Sequence, residues 1–340
     1  MEQTLVSPQP KYVLDQANTV QHWQLRDLIH APDDEDSLFY VHGSKTRRLH
    51  TRTNEVETMQ SYGIAPTAMT ADHGYIAAGA QRGMLMVAST VDGSYVFCGE
   101  VGGSVVNALH FGRDPRGKLR LFVSNNDRQL RIFDMPSMRP VEAICCPAPI
   151  NYAALSPEGD LLACVGDSGE THLFRAAPSG FVEYGSFTEA QDAGMTCAWN
   201  PSGTCLASGS QDGTVTIWDP RAHRRVAKLG RRDGEPGLSA CRCVKFGNGP
   251  ADLLAFNEHC SYTHIVDARD FQQEQVIDVD ASIGALLGEP CALSGLAFTP
   301  SGQRIYVGVE GCEMDIGPHG IAAFDVQMLS RTTFGAAELA

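Results

Sequence analysis

Gly166-Asp167-Ser168-Gly169 has the composition of a loop that carries a nucleophilic serine. Such a serine needs a base within hydrogen-bond reach and donors for the developing oxyanion. The tetrapeptide falls where hairpin turns recur along the chain, so it reads as a turn. A second set could ligate zinc: Cys241 and Cys243, two apart and on one face of a strand, followed by His259, Cys260 and His264. Structural zinc sites use tighter pairs, and these residues read as packing. No phosphate-binding Gly-rich loop, His-Glu-x-x-His or dinucleotide fingerprint is present. The sequence therefore predicts no catalytic residue, no metal and no cofactor.

The remaining chemistry is cationic. Arg221, Arg224, Arg225, Lys228, Arg231 and Arg232 crowd into a short stretch of a chain with 26 basic and 40 acidic residues. Guanidinium groups in this density suit an acidic peptide or a phosphate. The net charge of −14 argues against a general polyanion binder, so nucleic acid is not an expected partner.

These residues must be positioned by short elements, because 34 glycines and 18 prolines punctuate the 340 residues and 43% of the chain is apolar. No apolar run approaches the ~20 residues of a membrane span, and the start has no signal-peptide pattern. Eleven scattered cysteines in apolar settings read as reduced thiols. These features predict a cytoplasmic or nuclear protein with no membrane partner.

The elements repeat. In 194–219, three β-type runs are separated by the turns Asn200-Pro201-Ser202-Gly203 and Gln211-Asp212-Gly213. Ser156-Pro157-Glu158-Gly159, Thr299-Pro300-Ser301-Gly302 and Ala71-Asp72-His73-Gly74 open equivalent units. Third-strand endings recur at Ile132-Phe133-Asp134, Leu173-Phe174-Arg175, Ile217-Trp218-Asp219, Ile265-Val266-Asp267 and Ala323-Phe324-Asp325, with weaker copies near Leu49 and Val87. The seven anchors are spaced by 38, 45, 41, 44, 48 and 58 residues.

With this period the sequence resembles the WD40 repeat family. The resemblance implies an all-β fold, a single seven-bladed propeller over 20–335, with an N-terminal tail 1–19 and a C-terminal tail 336–340. The last blade would be completed by Arg331–Phe334 or by the segment before Trp23. Insertions at Ala31–Asp36, Gly230–Gly237, Asp280–Pro290 and Glu310–His319 are candidate contact loops. Gln191–Gly194 replaces the Gly-His pair common in the family, so this blade must hold its turn differently.

Leu206–Arg221 resembles the box of WD40 receptors that dock on the propeller adaptor of cullin-4 ubiquitin ligases. Most of it serves folding, but the resemblance makes Arg221 a docking residue. Val266-Asp267-Ala268-Arg269 is a degenerate second copy. His22–Ile29, Asn151–Pro157 and Arg331–Gly335 resemble a largely uncharacterised group of fungal and plant WD40 proteins that includes a yeast substrate receptor of the GID ubiquitin ligase, a reader of N-terminal degrons. The propeller resemblance also implies a channel face for peptides, near Asn107, Asn151, Thr196, Arg242 and Ser294. The expected function is a non-catalytic scaffold, a substrate receptor or adaptor whose partners are ligase core subunits and a peptide or degron. The alternative is a general scaffold in trafficking or RNA processing.

Overall fold

Residues 194–230 show how local chemistry builds the repeated unit. Strand Gly194–Trp199 ends at Asn200, whose carbonyl accepts from Gly203 N at 2.9 Å while its side-chain oxygen accepts from Cys205 N at 2.9 Å. Gly203 sits at φ +66°, where a side chain would be strained. The next strand, Leu206–Ser210, turns through Gln211-Asp212-Gly213 into Thr214–Asp219, and Arg224–Gly230 forms the outer edge.

A computed structural model describes residues 4–16, 18–22, 26–32, 34–230, 239–284, 290–311 and 320–327. It contains seven antiparallel four-stranded sheets arranged as the blades of a propeller. Blade 1 covers 29–61, blade 2 68–100, blade 3 106–145, blade 4 150–188, blade 5 194–230 and blade 6 243–278. Blade 7 takes three strands from 293–325 and its outer strand from Tyr12–Leu14, which pairs with Gly320–Asp325 (Tyr12 opposite Ala323).

Strands near the channel can be buried at every position rather than at alternate ones, because neighbouring blades cover both of their faces. Ile150–Leu155, Leu161–Gly166 and Leu293–Phe298 are buried at every position. The core lies between blades: Leu173, Phe187, Trp199, Leu206 and Trp218 pack blade 4 on blade 5, with Phe187 stacked on Trp218 at 4.4 Å.

The predicted tail 1–19 is corrected by these contacts. Leu5 and Val6 are 2% and 0% exposed and join the core of blades 6 and 7, and both backbone amides donate to the Gln275 side chain. The chain is thus drawn in by apolar burial before it reaches the closing strand. Closure therefore uses the segment before Trp23. Trp23, Arg331–Phe334 and the tail 336–340 lie outside the described residues, as does most of the 230–237 and 310–319 insertions. The acidic loop Ala31–Asp36 ties blade 1 to blade 7, where Glu35 accepts from Ser301 N at 2.7 Å. Within the 280–290 insertion lies the end of a short helix, Val279–Ile283, capped by the Asp278 carboxylate.

Blade 5 also shows what replaces the missing Gly-His pair. Asp212 accepts from the Gln191 backbone N–H at 2.8 Å and from the Thr214 hydroxyl at 2.6 Å. The Trp218 indole donates to Ser208 Oγ at 2.9 Å.

Candidate protein-interaction site

All five expected channel-face residues are buried in the ring. Asn107 Nδ2 donates to the Ile150 carbonyl at 2.9 Å, and Asn151 Nδ2 to the Gly194 carbonyl at 2.9 Å and Asp167 Oδ1 at 3.0 Å. Each amide staples one blade to the next. In blade 2, Thr67 Oγ1 makes the equivalent staple to blade 3, donating to the Val106 carbonyl at 2.7 Å. Thr196 is buried with its methyl against Gly209, and Ser294 is buried against Gly308. Arg242 is the one of the five that carries a charge.

Arg242 lies at the mouth of the channel on the face that carries the loops between blades. Its Nη1 donates to Gln211 Oε1 at 2.6 Å and its Nε to His259 Nδ1 at 3.2 Å. Burial and the facing charge of Arg26 bring its pKa down to about 10. The same mouth holds His22, lowered by burial and both arginines, and His259, brought to about 4 by burial, Arg26 and Arg242. Burial lowers Arg26, and Glu310 offsets only part of that.

On the opposite face, Arg221 and Arg269 occupy equivalent turns of blades 5 and 6 but differ in state. Asp267 is buried, and its carboxylate accepts from Arg269 Nε at 3.0 Å and Nη2 at 2.5 Å. Asp219 instead accepts from the backbone amides of Arg221 and Ala222 at 3.1 and 2.9 Å. The Arg221 side chain is left 64% exposed, with Glu158 at 3.8 Å. Arg224 is likewise exposed, 3.9 Å from Asp219, and Arg225 pairs with Glu189 at 2.8 Å. Arg231 and Arg232 lie outside the described residues.

The residues considered for catalysis or metal do not converge. Ser168 Oγ sits 3.4 Å from His172 Nε2, but the carboxylate near that imidazole, Glu170, also faces Nε2, at 3.8 Å. A triad needs its acid on the other nitrogen. His259 is bonded by Arg242, while His264 stacks on Phe256 and bridges Glu258 and Glu274 at 2.9 and 2.6 Å. Among the described residues, no three His, Cys, Asp or Glu side chains gather as a metal site.

Sequence reasoning missed a polar tie across the channel. Asp27, just before blade 1, accepts from Lys245 Nζ of blade 6 at 2.7 Å and from Tyr152 OH of blade 4 at 2.8 Å. His30 Nε2 lies 3.5 Å from the other carboxylate oxygen. Burial would raise the Asp27 carboxyl, but Lys245 and His30 outweigh it, so the carboxyl lies below its usual value. Burial would lower Lys245, yet Asp27 and Tyr152 hold its ammonium charged, well above its ordinary value. Burial and Asp27 together keep Tyr152 a neutral phenol. None of the three is primed as a nucleophile or base at neutral pH. Beneath the tie is a cavity of about 410 Å³ lined by Lys245, Tyr152, His110, Cys197 and Trp199. The signal available in sequence was Lys245 itself, a lone cation in the apolar run Cys243–Phe246.

Two families match segments of the chain. Residues 186–219, from the end of the outer strand of blade 4 through the third strand of blade 5, match the family described as "WD domain, G-beta repeat". Residues 239–278, in blade 6, match "Uncharacterised protein domain (DUF2415)". A Schizosaccharomyces pombe protein, "Uncharacterized protein C4G3.03", is 22% identical over 299 residues, 84% of each chain. "Protein ROOT INITIATION DEFECTIVE 3" of Arabidopsis thaliana is 32% identical over 113 residues, 31% of this chain and 25% of that protein. The human "U3 small nucleolar RNA-associated protein 4 homolog" is 26% identical over 129 residues, 38% of this chain and 19% of that protein. A chain in the crystal structure of the Mitotic Checkpoint Complex shares the fold, with a TM-score of 0.76 at 12% identity, covering 94% of this chain and 93% of that one. The fold is that of a seven-bladed β-propeller, and the repeat over 186–219 matches the WD40 repeat.

Proposed function

We propose that the protein is a non-catalytic substrate receptor or adaptor of a ubiquitin ligase, working in the cytoplasm or nucleus. One face docks a ligase core subunit through Arg221, with Arg224 beside it, and the channel face holds a peptide or degron. The observation that carries this reading is the contrast between two equivalent arginines. Arg269 is forked by its own aspartate, whereas Arg221 stands 64% exposed with only the exposed Glu158 nearby, at 3.8 Å. A planar guanidinium in that state suits a carboxylate or carbonyl cluster on a partner.

The test is affinity purification of tagged wild type and Arg221→Ala from lysate, with mass spectrometry of the partners. Ligase subunits recovered with wild type and lost with the variant support the docking face. Ligase subunits retained by both place the link on another surface. With no ligase subunit in either, the ubiquitin reading fails. The second reading, a general scaffold in RNA processing, draws on the partial match to the U3 small nucleolar RNA-associated protein 4 homolog. It predicts ribonucleoprotein components among the recovered partners. A trafficking scaffold would instead recover coat or tethering components.

A further inference from the structure

Arg242 is 4% exposed and carries a full charge, yet its two side-chain hydrogen bonds go to neutral acceptors, Gln211 Oε1 and His259 Nδ1. Among the described residues no carboxylate lies within 4 Å of its guanidinium. Even arginines that are less enclosed, with 12–22% of the side chain exposed, find carboxylates elsewhere in the ring. Arg131 forks Asp127, Arg120 bonds Asp114 and Asp134, and Arg304 bonds Asp325. An enclosed charge without a counter-charge costs several kcal/mol, and here the neighbouring Arg26 adds repulsion.

We propose that this channel mouth binds an oxyanion carried by a peptide, held by the guanidinium of Arg242 and the ring N–H of His259. Because His259 Nδ1 accepts from Arg242, its proton sits on Nε2. Burial and the two arginines keep the ring neutral at physiological pH, so Nε2 is a donor there without adding charge. Arg242 retains Nη2 and the second hydrogen of Nη1 for a two-point grip on a carboxylate or phosphate. Among the described residues, the acidic groups nearby do not fill the role. Glu258 is bonded to His264, Glu310 acts on Arg26, and Asp192 is the weakest of the influences on Arg242. A nucleic-acid backbone is disfavoured by the net charge of −14, whereas a single anionic group entering the channel mouth meets a local cation pair. The inference rests on the reading of this face as a peptide site and is independent of Arg221.

The test is selection of random dodecapeptides displayed on phage against the full chain, followed by binding measurements on synthetic peptides. The expected result is enrichment of Asp- or Glu-bearing peptides. Changing that Glu to Gln in the peptide, or Arg242→Gln in the protein, should each weaken binding about tenfold or more. The double change should cost little beyond either alone. Tighter binding after Glu is replaced by phosphoserine assigns the anion as phosphate, and weaker binding assigns it as carboxylate. Arg242→Lys, which keeps the charge and loses the fork, should fall between wild type and Arg242→Gln. It also carries the test if Arg242→Gln does not fold. Peptides enriched without an acidic residue, or acidic peptides that bind wild type and variant alike, overturn the inference and leave the peptide-binding reading intact. No enrichment at all overturns both for this face.

Discussion

Lys245→Met is the sharpest test of the channel tie. The substitution preserves the apolar stem and removes the ammonium that holds Asp27, leaving the carboxylate enclosed with the Tyr152 hydroxyl and His30. Breaking an enclosed ion pair by deleting one partner costs ~3–5 kcal/mol. Lys245 and Asp27 keep 23% and 14% of their side-chain surface open to the channel, which places the loss at the low end, about 3 kcal/mol. Unfolding entropy of about 2.1 cal/mol/K per residue over this length makes that a drop in Tm of about 4 °C. The pH dependence separates this account from loss of packing. In wild type the Asp27 carboxyl is depressed, so its contribution is present above about pH 3.9 and is lost as pH falls through the folded value. The raised Lys245 contributes below about pH 10.4 and loses that share only as pH rises through its folded value. In the variant, uncompensated burial lifts the Asp27 carboxyl, and the ionised form then destabilises. The Tm deficit should be largest near pH 7 and shrink near about pH 4.5, as Asp27 takes up a proton. Adding Asp27→Asn should recover much of it. A deficit equal at both pH values, or below about 1 °C, refutes the reasoning.

Deleting residues 1–14 removes the closing strand and the buried Leu5, Val6 and Leu14, each worth about 1.5–3 kcal/mol. Circular dichroism should show a loss on the order of 5 kcal/mol, and an unchanged melt would restore the tail reading. For His264, burial alone would lower the imidazole, but the bonds to Glu258 and Glu274 leave it raised. Its stabilising share is complete below about pH 6.5 and fades as pH climbs through the folded value, so Glu274→Gln should lower the His264 midpoint in an NMR titration, and an unmoved midpoint would count against this pairing. A Cβ at Gly209 would lie 2.4 Å from Cys241 Sγ and 2.8 Å from Thr196 Cγ2; Gly209→Val should cost about 1–3 kcal/mol in chemical denaturation, and a neutral result would mean that the two blades separate more easily than this packing implies.

The blades were legible because their grammar is local. Pro at the second turn position, Gly at the left-handed one and β-branched runs between them lie within one stretch such as 194–219. Closure was not legible to the same degree. Tyr12-Val13-Leu14 is a short run with no turn beside it, and its partner lies at the other end of the chain. Asn107 and Asn151 read as ligand contacts because a polar residue near the start of an inner strand offers the same signal whether it faces solvent or a neighbouring carbonyl. Only the ring geometry brings Ile150 O and Gly194 O within reach of those amides. Arg221 and Arg269 looked alike in sequence, and the difference arises from which donors each aspartate serves. Of the Asp27 tie only Lys245 stood out, because its members come from three separate places in the ring: the entry to blade 1, blade 4 and blade 6.

Closing the ring with Tyr12–Leu14 sets pairing against chain order: this strand can take its place only once Gly320–Asp325 exists to receive it. Until then Ile321, Ala322, Ala323 and Phe324, all buried in the finished ring, form an open sheet edge with unpaired backbone groups. That edge accepts the same short strand from any copy of the chain, so the seam that completes a single ring is also the place where two rings can exchange their first strands.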